Sequence, residues 1–200
     1  MAKGSQEGRD SLPQEGRSPL RSLLSFVLML IAIVAAVFLL RTYVITPYEV
    51  PTGSMETTIM AGDRVFSERI SYYTREPQAG DVVTFQDPEQ PGRTLVKRVI
   101  ATAGQTVEVR SKDQGDGMLY IDGEAQSEPY VNGLPSYVLQ TAGNVSITYP
   151  YTVPDGCVWV MGDNRTNSAD SRYFGAVPLS TISGHVVATY WPLDRIGAIN

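Results

Sequence analysis

From Leu23 to Leu40 the chain reads LLSFVLMLIAIVAAVFLL, eighteen residues with no charge and one polar side chain, Ser25. A helix of that length crosses the roughly 30 Å hydrocarbon core of a bilayer, and Arg21 and Arg41 bracket it. A cleavable signal peptide has an apolar region of about 7–15 residues followed by a small-residue cleavage site. Here the run is longer and continues into Arg41-Thr42-Tyr43-Val44, which predicts a retained transmembrane helix over residues 21–41. Lys3, Arg9, Arg17 and Arg21 precede the span and only Arg41 follows it closely. The positive-inside bias therefore predicts a cytoplasmic N-terminus and an extracytoplasmic segment 42–200. Residues 1–20, rich in Gly, Ser, Pro and charge, read as a disordered tail.

Beyond the anchor there is almost no helical periodicity. Short runs rich in Val, Ile, Tyr and Thr, punctuated by Gly and Pro, predict a mainly β domain. The expected strands are Arg64–Ser71, Asp81–Gln86, Thr94–Ala101, Thr106–Arg110, Leu119–Ile121, Ser146–Tyr149, Cys157–Met161 and His185–Tyr190. Shorter strands and loops richer in Gly, Ser and Asn between about 111 and 154 suggest a small inserted subdomain. After Leu40 the chain carries twelve basic and eighteen acidic residues. That balance, without clustered Lys and Arg, excludes nucleic acid as the expected partner. The one cysteine, Cys157, precludes an internal disulfide or a multi-cysteine metal site, and its apolar setting predicts a buried small side chain rather than a reactive thiol.

Fourteen residues past the apolar run comes Pro51-Thr52-Gly53-Ser54-Met55. Pro51 stiffens the approach and Gly53 permits close passage of another chain, so Ser54 reads either as a displayed nucleophile or as part of a surface turn. A serine hydroxyl needs a base. The only histidine, His185, lies in the alternating run His-Val-Val-Ala-Thr-Tyr and reads as a strand residue, though a Ser-His-Asp arrangement stays open. Of three lysines, Lys97 alone lies in an apolar strand, Thr-Leu-Val-Lys-Arg-Val-Ile-Ala. Buried there it loses proton affinity and becomes a usable base; turned outward it is an ordinary strand lysine. The third cluster, Gly162-Asp163-Asn164-Arg165-Thr166-Asn167-Ser168-Ala169-Asp170-Ser171-Arg172, is dense enough in hydrogen-bonding groups to order a lysine. A calcium loop is a weaker rival, because only two carboxylates are present and the EF-hand spacing is missing.

The anchor, Gly-Ser-Met, Lys-Arg-Val-Ile and Gly-Asp-Asn-Arg-x-Asn-Ser-x-Asp-Ser-Arg, in this order, resemble the bacterial type I signal peptidases, membrane-anchored Ser/Lys endopeptidases. Asp63 after Gly62, Gly80-Asp81-Val82-Val83 and the closing Trp191-Pro192-Leu193-x-Arg195-x-Gly197 are similar to that family too. The resemblance implies a bent antiparallel β-sheet with a smaller inserted β-subdomain. It implies Ser54 as nucleophile and Lys97 as base, with Thr52 donating to the oxyanion and Ser168 and Asp170 supporting the lysine. Met55, Asp163, Asn164, Arg165 and Arg172 would then be structural members of the motifs. We expect Ser168 to bond Lys97 directly and Asp170 to be tied up by Arg165 or Arg172. No metal or cofactor is implied. The implied substrates are exported preproteins, cleaved after small residues at a bacterial plasma membrane beside the lipid bilayer and the export machinery. Departures from the family pattern are Thr52, Thr57, Ala101, Ala103 and Gln105. A soluble repressor-type self-cleaving Ser/Lys protein would need a DNA-binding segment in place of the anchor. A catalytically dead module that binds exported chains would have no need of Ser54 and Lys97.

Overall fold

The computed structural model describes residues 19–110, 117–143 and 145–199. Two compact units separate at Leu40 and Arg41. The first is dominated by helix α1, Pro19–Tyr43, which opens two residues before the expected span and runs two beyond it. Proline suits a first helical position, where its missing N–H has no intrahelical partner to lose. At about 1.5 Å per residue the 25 residues exceed the thickness of a hydrocarbon core, and the helix passes on length and composition as a membrane span. Its apolar side chains are exposed. Most of the tail expected over residues 1–20 lies outside the described residues, while Pro19 and Leu20 belong to the helix.

The second unit is antiparallel β. Its strands are β1 (Ile45–Glu49), β2 (Arg64–Glu68), β3 (Val82–Gln86), β4 (Thr94–Thr102), β5 (Thr106–Arg110), β6 (Met118–Ile121), β7 (Glu124–Ala125), β8 (Tyr151–Thr152), β9 (Cys157–Met161), β10 (Val177–Pro178), β11 (Ile182–Trp191) and β12 (Gly197–Ala198). The large sheet runs β1-β2-β11-β3-β4-β9-β10, with β12 added to β11; the small sheet runs β7-β6-β5-β8. Register shifts in the β4/β9, β11/β2 and β11/β3 ladders mark bulges, which bend a sheet. One core cluster lies where the sheets meet, with Trp159, Met161 and Ala101 against Val107, Leu119 and Ile121. A second gathers Val83, Phe85 and Val99 with Val158 and Phe174. The third, Val50, Met55, Ile59, Val65, Val82 and Val186, underlies the Ser54 loop.

Several expectations need correction. Ser146–Tyr149 is not a strand: Ile147 and Tyr149 pack against the inter-sheet cluster, so their alternation reflects burial, while the ladder is made next door by β8. The Arg64–Ser71 strand ends at Glu68, whose carboxylate accepts the Ser71 N–H and turns the chain into the single helical turn α2 (Ser71–Thr74). A second such turn, α3 (Ser171–Phe174), is capped by Asp170. Strand β1 escaped notice because Pro47 interrupts it, which an edge strand tolerates. The small sheet also draws in β5, ahead of residue 111. Cys157 is half-buried rather than fully enclosed.

Candidate active site

Ser54 sits in one turn of 3₁₀ helix, Gly53–Met55, entered from extended Thr52. Met55 is wholly buried in the third core cluster, which fixes the turn from beneath and is worth roughly 1.5–3 kcal/mol of transfer energy. The loop is closed at its base, where Val50 N–H donates to Asp63 O at 2.8 Å and Gly62 N–H to Val50 O at 2.8 Å. Asp63 is held in turn by Arg195, whose Nη2 and Nε donate to Oδ1 at 2.7 and 2.9 Å.

The glycine-aspartate loop after β9 closes over this turn. Asn164 grips it twice, its N–H donating to Ser54 O at 3.1 Å and its Nδ2 to Gly53 O at 3.0 Å. Asp163 takes the Thr58 hydroxyl and a two-pronged contact from Arg98, Nε to Oδ1 at 2.9 Å and Nη2 to Oδ2 at 2.8 Å. Gly162 has no room for a side chain, since a Cβ there would collide with Ser54 O and Ser168 Oγ. Asp170 is bound by Arg172 through Nε at 2.9 Å and Nη2 at 2.8 Å, and by the Gly162 N–H at 3.1 Å.

Lys97 reaches this arrangement from β4. Its Nζ lies 2.7 Å from Ser54 Oγ and donates to Val96 O at 2.9 Å, and the residue is 3% exposed. Burial lowers its pKa from 10.5 to about 8; Asp170, Asp163 and Asp87 push it back up, while Arg93 adds to the depression. Asp170 would itself be raised by burial, but Arg172 and the Gly162 N–H hold it below the usual carboxylate range. The expected Ser168–Lys97 bond is not formed. Ser168 Oγ is sealed beside the Asp170 carboxylate, close enough to favour its ionised form but outside hydrogen-bond geometry to any described group. Of the two arginines expected to occupy Asp170, Arg172 does so directly; Arg165 turns away to Gly162 O at 2.9 Å and to Glu128.

Ser54 and Lys97 open onto a cleft of about 310 Å³. One wall is Tyr48–Thr52, so Thr52 is exposed two residues from Ser54; the other is Arg93–Val96. The β4/β9 ladder begins only at Arg98, and β1 pairs on one side only, so both walls present strand edges. His185 lies elsewhere, on β11 between Glu68 and Asp81, at 3.5 and 3.7 Å. Sequence reasoning missed Glu128 and Ser136, which reach Arg165 from the inserted subdomain and carry no motif. Arg98 was visible only as the neighbour of Lys97.

The Ser54 hydroxyl thus lies against the buried Lys97 amine at an open edge of the β-domain. The sequence profile described as signal peptidase, peptidase S26, matches residues 23–191. A probable signal peptidase I-1 from Synechocystis sp. is 38% identical over 194 residues, 91% of each chain. Signal peptidase I from Mycobacterium tuberculosis is 32% identical over 92% of this chain and 76% of its own. The chloroplastic thylakoidal processing peptidase 1 of Arabidopsis thaliana is 35% identical over 79% of this chain and 45% of its own. By these matches the chain belongs to the signal peptidase family, peptidase S26, and is a hydrolase of the serine peptidase class.

Proposed function

We propose that this chain is a type I signal peptidase that removes N-terminal signal peptides from exported preproteins with a Ser54/Lys97 dyad. The observation that carries this reading is the 2.7 Å contact between Lys97 Nζ and Ser54 Oγ, inside a site that depresses the lysine to about 8. As an amine, Lys97 accepts the Ser54 hydroxyl proton through its lone pair while still donating to Val96 O. Ser54 Oγ attacks the scissile carbonyl carbon, and the developing oxyanion takes the Ser54 N–H with the Thr52 hydroxyl as second donor. Lys97 returns the proton to the leaving amine, leaving an acyl-enzyme on Ser54. It then deprotonates the water that releases the signal peptide and restores the serine. Ser168 and Asp170 support the lysine indirectly, and Met55, Asp163, Asn164, Arg165 and Arg172 hold the frame.

Substrate lies extended in the cleft, hydrogen-bonded along Val50–Thr52 and Thr94–Val96, with small residues such as Ala at the first and third positions before the bond. Residues 1–20 form the cytoplasmic tail, 21–41 cross a bacterial plasma membrane, and 42–200 work outside it beside the bilayer and the export machinery, with a subdomain inserted at about 111–154. The test is cleavage of a preprotein bearing an Ala-x-Ala site by purified full-length protein. Ser54→Ala and Lys97→Arg should both be inactive while remaining folded, because a guanidinium keeps its proton. Near-normal turnover by folded Lys97→Arg would make positive charge the lysine's role and overturn the Ser/Lys reading.

A further inference from the structure

Beyond the shared apolar core, the inserted subdomain reaches the arginines behind Ser54 through Glu128, Tyr130 and Ser136. Glu128 accepts from Arg165 on both oxygens, Nη2 to Oε1 at 2.6 Å and Nη1 to Oε2 at 2.7 Å, and also takes the Tyr130 hydroxyl at 2.9 Å. Ser136 Oγ completes the cradle, 2.7 Å from Arg165 Nη1. Arg165 is fully buried, with side-chain exposures of 0% and 9% for the pair. The Tyr130 ring covers the Arg98 guanidinium at 4.1 Å, so the same segment backs the arginine that holds Asp163.

Arg165 then passes the constraint inward. Its Nε donates to Gly162 O at 2.9 Å, and its own carbonyl accepts Arg172 Nη2 at 2.9 Å. Gly162 is the residue jammed against the Ser54 carbonyl, and its N–H bonds the Asp170 carboxylate. Two hydrogen bonds therefore lead from Glu128 through Arg165 to Gly162, which abuts the Ser54 carbonyl and by a third hydrogen bond holds the Asp170 carboxylate.

From these contacts we infer that Glu128 is a positioning residue for the peptidase reaction, acting through Arg165 on the Gly162 turn and thereby on Ser54 and Lys97. The inference rests on the Ser54/Lys97 reading. Its charge matters as well as its shape. The charged groups that bear on Lys97 are Asp170, Asp163 and Asp87 on one side and Arg93 on the other, with Arg98 and Arg172 already paired to Asp163 and Asp170. Neutralising Glu128 leaves Arg165 as an uncompensated buried cation and invites it to compete for Asp170. Both effects disfavour the Lys97 ammonium.

The experiment compares parent, Glu128→Gln and Glu128→Asp in the full-length protein, measuring kcat and KM for a preprotein peptide across pH, with thermal unfolding as the check of folding. Glu128→Gln should lose roughly tenfold or more in kcat with KM little changed, since small displacements of a reacting group are costly. Its acid limb should also move down by about half a pH unit. Glu128→Asp, which keeps the charge, should restore the position of the limb. A folded Glu128→Gln with parental kcat and parental limb overturns the inference. Should Glu128→Gln not fold, the double variant E128Q/R165Q, which removes both charges, takes its place. It should show a parental limb and a reduced kcat, and a parental kcat there would overturn the inference equally. Failure of the underlying reading looks different, because the parent itself would then lack an acid limb that disappears in Lys97 variants.

Discussion

A lysine whose proton affinity is lowered by burial makes its domain less stable than the same domain without it, and Lys97→Met should expose that. The folded-state pKa of about 8 against 10.5 corresponds to about 3 kcal/mol of lost stability at neutral pH. Methionine fills a similar volume and carries no charge. It forfeits the contacts of Nζ with Ser54 Oγ and Val96 O, worth about 1 kcal/mol each. The balance favours the variant by about 1–2 kcal/mol, or roughly 3–6 °C in unfolding midpoint for a domain of this size. The sign with pH follows from proton counts. Below pH 8 both folded and unfolded parent hold the proton, and the full penalty is present. Between about 8 and 10.5 only the unfolded chain holds it, so parental stability rises with pH and the gap to the variant closes. Unfolding midpoints in detergent at pH 7 and pH 10, parent beside Lys97→Met, measure this, and the variant should cleave nothing. A gap of the same size at both pH values would refute the claim that burial lowers the Lys97 pKa in the folded protein.

Three further outcomes are expected. Gly162→Ala should fold yet lose about a hundredfold in kcat, because the added methyl must push the Ser54 carbonyl aside; single-turnover cleavage reads this directly. His185→Gln should keep most activity, since the imidazole sits on β11 between Glu68 and Asp81 and does not line the cleft; a loss as deep as that of Ser54→Ala in folded protein would revive a histidine mechanism. Protease added outside intact cells should digest the β-domain, whereas protection until lysis would reverse the topology read from Arg21 and Arg41.

The local signals were legible where chemistry and periodicity coincide. An uncharged run of eighteen residues is a helix by length, and Thr94–Thr102 and Cys157–Met161 alternate or run apolar as central strands do. Ser54 and Lys97 stood out by residue type and setting, yet each kept a second reading, and their expected roles, like those of Asp163 and Asp170, came from the resemblance of the motifs. Pairings that depend on three-dimensional approach were not legible. Nothing in the sequence marks Gly162 as crowded, where a Cβ would collide with the Ser54 carbonyl and the Ser168 hydroxyl. Ser168 was expected on the lysine and lies beside Asp170 instead. Glu128 could not be found at all, because nothing in Ser-Glu-Pro-Tyr announces that its carboxylate will meet an arginine 37 residues away.

The choice of arginine for every one of these holding contacts follows from the problem Lys97 poses. The frame is built from carboxylates that accept several hydrogen bonds each: Asp163 ties Thr58 to the loop, Asp170 caps α3 and holds Gly162, and Asp63 closes the base. Bare carboxylates this close would raise the lysine again, the direction in which Asp170 and Asp163 already push it. Each therefore carries a guanidinium, Arg98 on Asp163, Arg172 on Asp170 and Arg195 on Asp63, with Arg165 on Glu128 behind them. A guanidinium cancels the field without titrating anywhere near the range in which Lys97 must change state, and its forked donors fix the carboxylate in a way a second lysine would not. On the proposed Ser/Lys reading, the arginines let Lys97 exchange its proton while the carboxylates around it stay paired and keep their shape.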